Sequence, residues 1–397
     1  MLLESGYGLD HGIRLRFCNL VHVFDQLGII LPVEFVRQLL SFFYDGHIGN
    51  PPIFLGGNLA QVAFRLHILH GFGHAGTGQA QSVADIADFY LNLFYRCSSL
   101  RSITLPPSLS KLAGGVFYGC SSLTNISLPE GITELHNGLF YQCSALISVD
   151  LPKNLSAIGD WAFYGCILLK NIAFPDRLAH IGYSAFRECA SLTSVSIPKE
   201  VAKVQGGAFR GCIGLKEVHF SEGLIYIGDE AFFGCKELAY VSLPSTMTAL
   251  GDDVFTDCFH LKEIHISDAN STYFFFEGIL YNICQRTVVW CCPGTQGNLV
   301  VMDGITQIGT GAFAGCKDIQ SVTLPLGLTH ICGAAFLGCS GLKHVSLPAG
   351  LTHIGPLAFY NCGNLTNIVL PATLNKLGAK AFRGCPAENK IDPGHYV

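Results

Sequence analysis

Apolar and polar positions repeat every 23 residues from Cys97 to Cys258 and again from Cys316 to Cys385. Twelve such units follow one pattern, which begins with Leu-x-x-Ile-x-Leu-Pro and continues to Ala-Phe-x-x-Cys-x-x-Leu. A fixed period of this length is typical of solenoids, in which neighbouring units stack over one continuous core. The repeat therefore predicts one elongated solenoid rather than several globular domains.

The first part of each unit has the alternation of a β-strand. In one representative unit, Ile126 and Leu128 are apolar while Asn125 and Ser127 are polar, as expected if successive side chains point to opposite faces of a sheet. Pro129 lacks the N–H that a further ladder hydrogen bond needs. We therefore predict a short strand in each unit that ends at the proline.

The second part of each unit contains glycine and phenylalanine at fixed positions. An Ile-Gly pair such as Ile227-Gly228 comes first, and we expect its glycine to permit a tight turn or a φ above zero. The Ala-Phe-x-x-Cys segment is then expected to form a short helix or a turn. One Phe in every unit would stack on the next and fill the core, which favours a structural role over a cofactor site.

Cysteine also occupies one fixed position and forms a predicted cysteine ladder. Neighbouring coils place equivalent atoms about 4.8 Å apart, within reach of a disulfide, but parallel side chains suit the required torsion poorly. We therefore expect buried free thiols that donate weakly to turn carbonyls. The other cysteines lack the two closely spaced ligand pairs of a zinc site; they are Cys18, Cys284, Cys291, Cys292 and Cys332.

The repeat pattern closely resembles the BspA-like leucine-rich repeats, also called the treponemal type. Residues 169–175 and 227–238 match that pattern nearly throughout, and the resemblance extends over residues 82–386. It implies an α/β leucine-rich-repeat solenoid, a curved right-handed superhelix with a parallel sheet on its concave face and short helices or turns on its convex face. The resemblance also implies binding of host or matrix proteins, because the family includes bacterial cell-surface proteins and proteins of protist parasites. Non-secreted members exist as well.

Three segments depart from the regular repeat. Residues 1–80 contain two segments with helical spacing, which begin near Pro32 and Asn58, and we interpret them as a helical N-terminal cap or a small adaptor domain. Residues 81–386 form the repeats, with a variant unit at 267–295, and residues 387–397 form a C-terminal tail.

The variant unit fills the 58-residue gap between Cys258 and Cys316. Residues 298–301 fall in the strand position when counted back from Cys316, so the solenoid strand is expected to continue there. We predict that a hairpin of residues 272–281 against residues 287–292 replaces the outer part of the preceding coil.

The candidate binding site lies on the polar side of the predicted strands. Early units present short polar side chains there, whereas the central units present longer ones, and tyrosine with charged residues on a concave solenoid face is typical of partner recognition. A solvated strand face with variable polar residues is the alternative. The candidate residues are Lys216, Glu217, His219, Tyr240, Lys262, Glu263 and His265.

The candidate residues do not have the spacing of a metal site or the surroundings of a catalytic site. His219 and His265 lie two rungs apart, about 10 Å at the backbone, with Tyr240 between them. A flat strip also provides no enclosed pocket to shift the pKa of a Glu/His pair. The chain contains no nucleophile elbow, P-loop, dinucleotide fingerprint or HExxH motif. We expect no enzyme, no metal site and no cofactor.

Composition narrows the set of partners. A net charge of −5, a pI near 6.3 and the lack of a Lys/Arg block leave no basic face for nucleic acid. No run of 18 apolar residues occurs, so membrane insertion is not expected. Hydrophobic residues make up 49% of the chain and charged residues 13%, enough apolar material for a long core.

The predicted function is a non-enzymatic scaffold, expected to be a monomer, that binds a protein or peptide on its concave face. The start at Met1 lacks the basic and apolar regions of a secretory signal, so we expect a cytoplasmic protein. The alternative is a secreted or cell-surface adhesin that binds host or matrix proteins, which a mis-assigned N-terminus would permit.

Overall fold

The Leu-x-x-Ile-x-Leu segments form the longer strands of the fold. A computed structural model describes residues 94–105 and 107–388 as a parallel-sheet solenoid of about 11 turns. The longer strands, labelled in chain order together with those below, are β1 (Asn125–Ser127), β3 (Ser148–Asp150), β6 (Ser194–Ile197), β8 (Glu217–Phe220), β10 (Tyr240–Leu243), β12 (Glu263–Ile266), β16 (Gly297–Val300), β18 (Ile319–Thr323) and β20 (His344–Ser346). Their exposed and buried residues alternate as the sequence predicts, for example in β1 and β3.

A second column of two-residue strands, absent from the sequence prediction, lies at the Ile-Gly position. Its members are β2 (Glu134–Leu135), β4 (Ala157–Ile158), β5 (His180–Ile181), β7 (Lys203–Val204), β9 (Tyr226–Ile227), β11 (Ala249–Leu250), β17 (Gln307–Ile308), β19 (His330–Ile331), β21 (His353–Ile354) and β22 (Lys376–Leu377). Most coils therefore contribute to both columns, although residues 171–174 and 367–370 form no strand where the sequence predicts one. All pairs between the short strands are parallel.

Glycine in the Ile-Gly pair begins a tight turn, as the first of the two expectations states, since the Ala231 N–H donates to the Gly228 carbonyl oxygen at 3.2 Å. The other expectation, a φ above zero, is wrong, and close packing accounts for the glycine. Gly228 does not have a positive φ, but a Cβ on it would lie 2.6 Å from the backbone N of Gly206 in the preceding coil. A Cβ on Gly159 would likewise lie 2.8 Å from the Leu135 carbonyl oxygen. A methyl group at either of these two glycines would therefore require the neighbouring backbone to shift.

The outer part of each coil consists of turns. The part of the chain that the structure describes contains no α-helix, so of the two predicted forms, helix or turn, the turn is the one observed. The helical cap predicted for residues 1–80 lies outside the described residues. The curvature expected of the solenoid stays a prediction.

The phenylalanine column forms the core as predicted. Phe117 and Phe140 stack with ring centroids 5.5 Å apart and an interplanar angle of 3°, and Phe313 and Phe336 stack at 4.8 Å and 4°. These rings are fully buried. Because every regular coil adds one ring to the stack, the hydrophobic core extends with each such unit and each coil stabilises its neighbours.

The predicted hairpin of the variant unit is observed in part, since residues 279–282 pair antiparallel with residues 287–291, but the residues before them form an additional strand. The variant unit contains β13 (Tyr273–Phe276), β14 (Ile279–Asn282) and β15 (Thr287–Cys291), which form an antiparallel meander. Residues 272–281 are therefore not one strand, because a turn with positive φ at Glu277 and Gly278 folds them back. β15 then pairs in parallel with β17, and β16 pairs in parallel with β18.

The meander separates two hydrophobic cores. Leu280 and Trp290 pack into the core that begins at Phe94, whereas Ile279 and Tyr281 pack into the core that ends at Ala387. All four residues of β14 are buried, as expected for a strand covered on both faces. The variant unit is thus a partition inside the solenoid, and the long-strand sheets on its two sides, β6–β12 and β16–β20, are separate.

Candidate functional site

The candidate residues lie on three adjacent parallel strands, β8, β10 and β12. Glu217, Tyr240 and Glu263 are paired in register across these strands. The valines and isoleucine that follow them point into the core, so this row of three side chains lies on the opposite, exposed face. We call the seven candidate residues together the central patch.

The second row of the central patch contains histidine. His265 of β12 pairs with Ser242 of β10, and His219 of β8 pairs with Ser196 of β6. The two imidazoles are therefore not neighbours. Within the described residues, no group of three His, Cys, Asp or Glu side chains could hold a metal ion.

One close contact between a histidine and a carboxylate occurs within the central patch. The Nε2 atom of His219 lies 3.3 Å from Oε2 of Glu217, and both side chains are more than half exposed. Tyr240 exposes 46% of its surface beside them. Lys216 and Lys262, which precede the two glutamates, are also exposed. An exposed pair of this kind contributes little to folding, so these side chains remain available to a partner.

The central patch ends where its sheet ends. β12 is the edge strand of the sheet formed by β6, β8, β10 and β12, and the variant unit follows it. On the other side, Ser194 pairs with Glu217 and introduces the short polar side chains of the early coils. Within this sheet, the long side chains thus lie on the three strands nearest the partition.

The structure also shows a tyrosine ladder that sequence reasoning missed. Its members follow the core phenylalanine directly and stack with ring centroids 4.4–4.8 Å apart; they are Tyr95, Tyr118, Tyr141 and Tyr164. Burial is the first cause that raises the pKa of both Tyr141 and Tyr164. The signal in the sequence was a Phe-Tyr pair in four consecutive units. Because the rings cover one another's faces, the ladder offers edges rather than faces to a ligand.

Arginine continues the tyrosine ladder in the next coils. The Arg187 guanidinium lies 5.5 Å from the centre of the Tyr164 ring, and that of Arg210 lies 4.2 Å from the Phe233 ring. Such cation–π contacts stabilise the outer turns by about 0.5–1 kcal/mol at partly exposed sites. Tyr164 and Phe233 are thus each covered on one face by an arginine.

The cysteine ladder is buried and hydrogen-bonded to turn carbonyls, as the sequence predicts. Cys212 Sγ donates to the Phe186 carbonyl oxygen at 3.1 Å, and Cys143 Sγ donates to that of Phe117 at 3.0 Å. Burial raises the pKa of both thiols to about 12. A thiol with so high a pKa stays protonated near neutral pH and is a poor nucleophile, which assigns the ladder to the core.

A sequence-family comparison identifies the repeats. The BspA type leucine rich repeat region (6 copies) matches residues 86–216, 179–285 and 291–393. The chain belongs to the BspA-type leucine-rich repeat family. No curated protein sequence matches this member of the BspA-type family.

Solved structures share the fold. A leucine rich cell surface protein from Faecalibacterium prausnitzii is 27% identical with a TM-score of 0.62, over 70% of this chain and 81% of that one. A leucine-rich repeat protein from Bacteroides ovatus is 26% identical with a TM-score of 0.50, over 71% and 84%. The pneumococcal vaccine antigen PcpA, 21% identical with a TM-score of 0.53 over 66% and 60%, shares the fold alone.

These comparisons place the chain among repeat proteins that include a cell-surface protein, and none of the three names describes an enzyme. Leucine-rich repeat proteins of this kind generally mediate protein interactions. In the residues that the structure covers, no helix has the length and apolar character needed to cross a membrane.

Proposed function

We propose that the protein is a non-enzymatic scaffold that binds a protein or peptide through the central patch. The observation that carries this proposal is the row Glu217, Tyr240 and Glu263 on three paired strands. Their side chains are long and exposed, and Lys216 and Lys262 precede the two glutamates, whereas strands β1 and β6 present serine and asparagine.

Tyrosine is the residue on which we expect binding to depend most. It combines a large apolar area with a hydroxyl group and is enriched in interface hot spots. Tyr240 lies between the carboxylates of Glu217 and Glu263, and each of these glutamates directly follows a lysine in the sequence. The charged side chains around Tyr240 would orient a partner with a complementary charge pattern, and the Tyr240 ring would anchor it.

The flat geometry of the patch favours a macromolecular partner over a small molecule. Small ligands bind in concave sites that cover most of their surface, whereas the residues of the central patch lie on one exposed sheet face. Several aligned strands provide an extended surface, and extended surfaces are what solenoids use to bind proteins.

The second candidate function is a cell-surface adhesin. It is favoured by the similarity to the Faecalibacterium prausnitzii protein, which is named as a cell surface protein. Protease treatment of intact source cells, followed by detection of the chain with an antibody, distinguishes the two compartments. Loss of the full-length chain supports the adhesin, and full protection of the chain while a surface marker is digested contradicts it.

Partner binding is tested with a patch variant that combines Glu217→Lys, Tyr240→Ala and Glu263→Lys. Partners captured with the wild-type chain are purified, and their affinities are measured by surface plasmon resonance. We expect the patch variant to bind at least about 10-fold more weakly, the effect of losing a hot spot. The control variant carries Asp150→Lys, Thr323→Lys and His344→Ala on the same strand face and should bind normally. Equal affinity of wild type and patch variant would exclude the patch.

A further inference from the structure

Outside the column of longer strands and the column of two-residue strands, backbone hydrogen bonds also join the outer turns of neighbouring coils. The N–H groups of Glu230, Phe232 and Gly234 donate to the carbonyl oxygens of residues 252, 254 and 256 at 2.8, 3.1 and 2.9 Å. The corresponding bonds of Phe313 and Gly315 to the next coil measure 2.7 and 2.8 Å. This outer ladder is therefore a third set of parallel contacts along the solenoid.

The outer ladder is interrupted at the variant unit. Among the described residues, the N–H groups of Asp253, Phe255 and Asp257, which come next in the ladder, have no hydrogen-bond partner. The carbonyl oxygens of the next full outer turn, those of residues 310, 312 and 314, likewise accept no hydrogen bond. A row of donors and a row of acceptors thus remain unpaired on either side of the partition.

A shortened coil causes this interruption. Val288 pairs with Ile308, and Leu299 pairs with Val322. The chain advances 11 residues from Val288 to Leu299, whereas it advances 14 residues from Ile308 to Val322 in the next coil. The shortened arc lacks the Ala-Phe turn. Trp290 closes the core beneath it, with its ring edge against Phe255 at 5.9 Å and 67°.

The missing turn leaves a slot at the protein surface. Its walls are residues 250–256 and residues 307–311, and its floor comes from Gln285 and from Thr287, Val289 and Trp290 of β15. The slot has a volume of about 400 Å³, which lies within the range of pockets that bind ligands. Its lining includes Asp252 and Asp253 and no lysine, arginine or histidine.

We infer that this slot binds an extended peptide segment of a partner protein, which takes the place of the missing outer turn. Donors on one wall and acceptors on the other are what an extended chain needs in order to pair on both of its edges. Unpaired backbone groups are costly to bury, so a peptide that satisfies both rows gains hydrogen bonds along its whole length. The acidic lining selects a peptide with a Lys or Arg side chain.

Two aspartates reach across the slot and define what must move on binding. The Thr310 side chain lies near the Asp252 carboxylate. The Asp253 carboxylate, which accepts a bond of 2.9 Å from the Thr256 hydroxyl, lies against Gly311. Burial, with Asp229 and Asp253 nearby, raises the pKa of Asp252. A Lys or Arg side chain would offset the repulsion between the Asp252 and Asp253 carboxylates. We therefore expect the basic residue of the peptide to bind between these two side chains.

The slot is independent of the central patch and is tested separately. Random heptapeptides displayed on phage are selected on the full chain, and a selected peptide is synthesised and its affinity measured by calorimetry. We expect enriched peptides to carry Lys or Arg and to bind the central-patch variant as tightly as the wild-type chain. Asp252→Asn with Asp253→Asn, which preserves side-chain size, should weaken binding at least about 10-fold. The control Asp176→Lys, at an exposed site elsewhere, should bind normally.

Amide hydrogen exchange measures the slot directly. In the free chain, the amides of Asp253, Phe255 and Asp257 should exchange at least about 10-fold faster than those of Glu230, Phe232 and Gly234, because only the latter are hydrogen-bonded. Bound peptide should remove that difference. Equal protection of both sets in the free chain would overturn the inference, as would a selection in which no peptide depends on the two aspartates.

Discussion

Cys212 Sγ lies 3.1 Å from the carbonyl oxygen of Phe186 in the preceding coil and donates a hydrogen bond to it. The same Phe186 oxygen accepts the backbone N–H of Cys189 at 3.2 Å. Each core phenylalanine carbonyl thus receives one bond from its own coil and one from the next. The thiol fits this position because it is small, apolar and a weak donor.

Removal of one such thiol should destabilise the solenoid moderately. We expect Cys212→Ala to lower the free energy of unfolding by about 1–2 kcal/mol, from the lost packing and the lost hydrogen bond. Cys284→Ala changes an exposed cysteine and should stay within about 0.5 kcal/mol of the wild type. Urea unfolding followed by circular dichroism measures both, and equal effects at the two sites would contradict the assigned role.

A methyl group on Gly228 should be far more costly than one on a glycine in open space. The added Cβ would lie 2.6 Å from the Gly206 backbone N, so the backbones of the two coils would have to move apart locally. We expect Gly228→Ala to destabilise the chain by about 2–3 kcal/mol. Gly363→Ala is the control, because no atom lies within 4 Å of its added Cβ. Thermal unfolding that shifts equally in both variants would refute the packing argument.

Ala334 occupies a left-handed conformation that glycine fills in several other coils. Its φ is 54°, and the equivalent Gly207 has a φ of 64°. Left-handed backbone costs a non-glycine residue about 1–2 kcal/mol, more than the entropy that glycine loses on folding. We expect Ala334→Gly to stabilise the protein by about 0.5–1 kcal/mol. Ala379→Gly, at an exposed residue whose φ is not positive, should destabilise it by a similar amount, and denaturant midpoints should therefore move in opposite directions.

His330 and His353 stack in the short-strand column with ring centroids 4.4 Å apart. Burial, and then the neighbouring His353, lower the pKa of His330 from its ordinary value of 6.5. The unfolded chain therefore binds the His330 proton more readily than the folded chain does. The stability from this group is complete above pH 6.5 and decreases as the pH falls below that value.

The histidine pair is tested by thermal unfolding at pH 7.5 and pH 5. We expect the wild-type chain to lose more stability on acidification than His353→Gln, which removes the neighbouring charge. His180→Gln is the control, since His180 is exposed and not stacked on another histidine. An identical pH dependence of all three chains would rule out coupling between the two rings.

Much of the fold was accessible from single units of the repeat. Whether Val218 or Glu217 faces the core follows from the two-residue alternation of a strand, and the Phe and Cys columns follow from the 23-residue period. The position of the central patch on adjacent strands could also be predicted, because equal spacing in the sequence places Glu217, Tyr240 and Glu263 in register.

The second column of strands and the slot could not be predicted in the same way. Gly228 is required by the backbone of Gly206 in another coil, so local conformation gives no indication of it. The slot likewise depends on donors and acceptors in turns that the variant unit separates.

The sequence by itself determined the solenoid, its buried columns and the strip of exposed side chains, because each depends on periodicity within a stacked array. Only the tertiary structure decided how the variant unit joins the two halves. Successive residues of β14 there alternate between two cores, and a shortened arc leaves the outer ladder open. These features arise from contacts between coils of different length, where the period no longer specifies which backbone meets which.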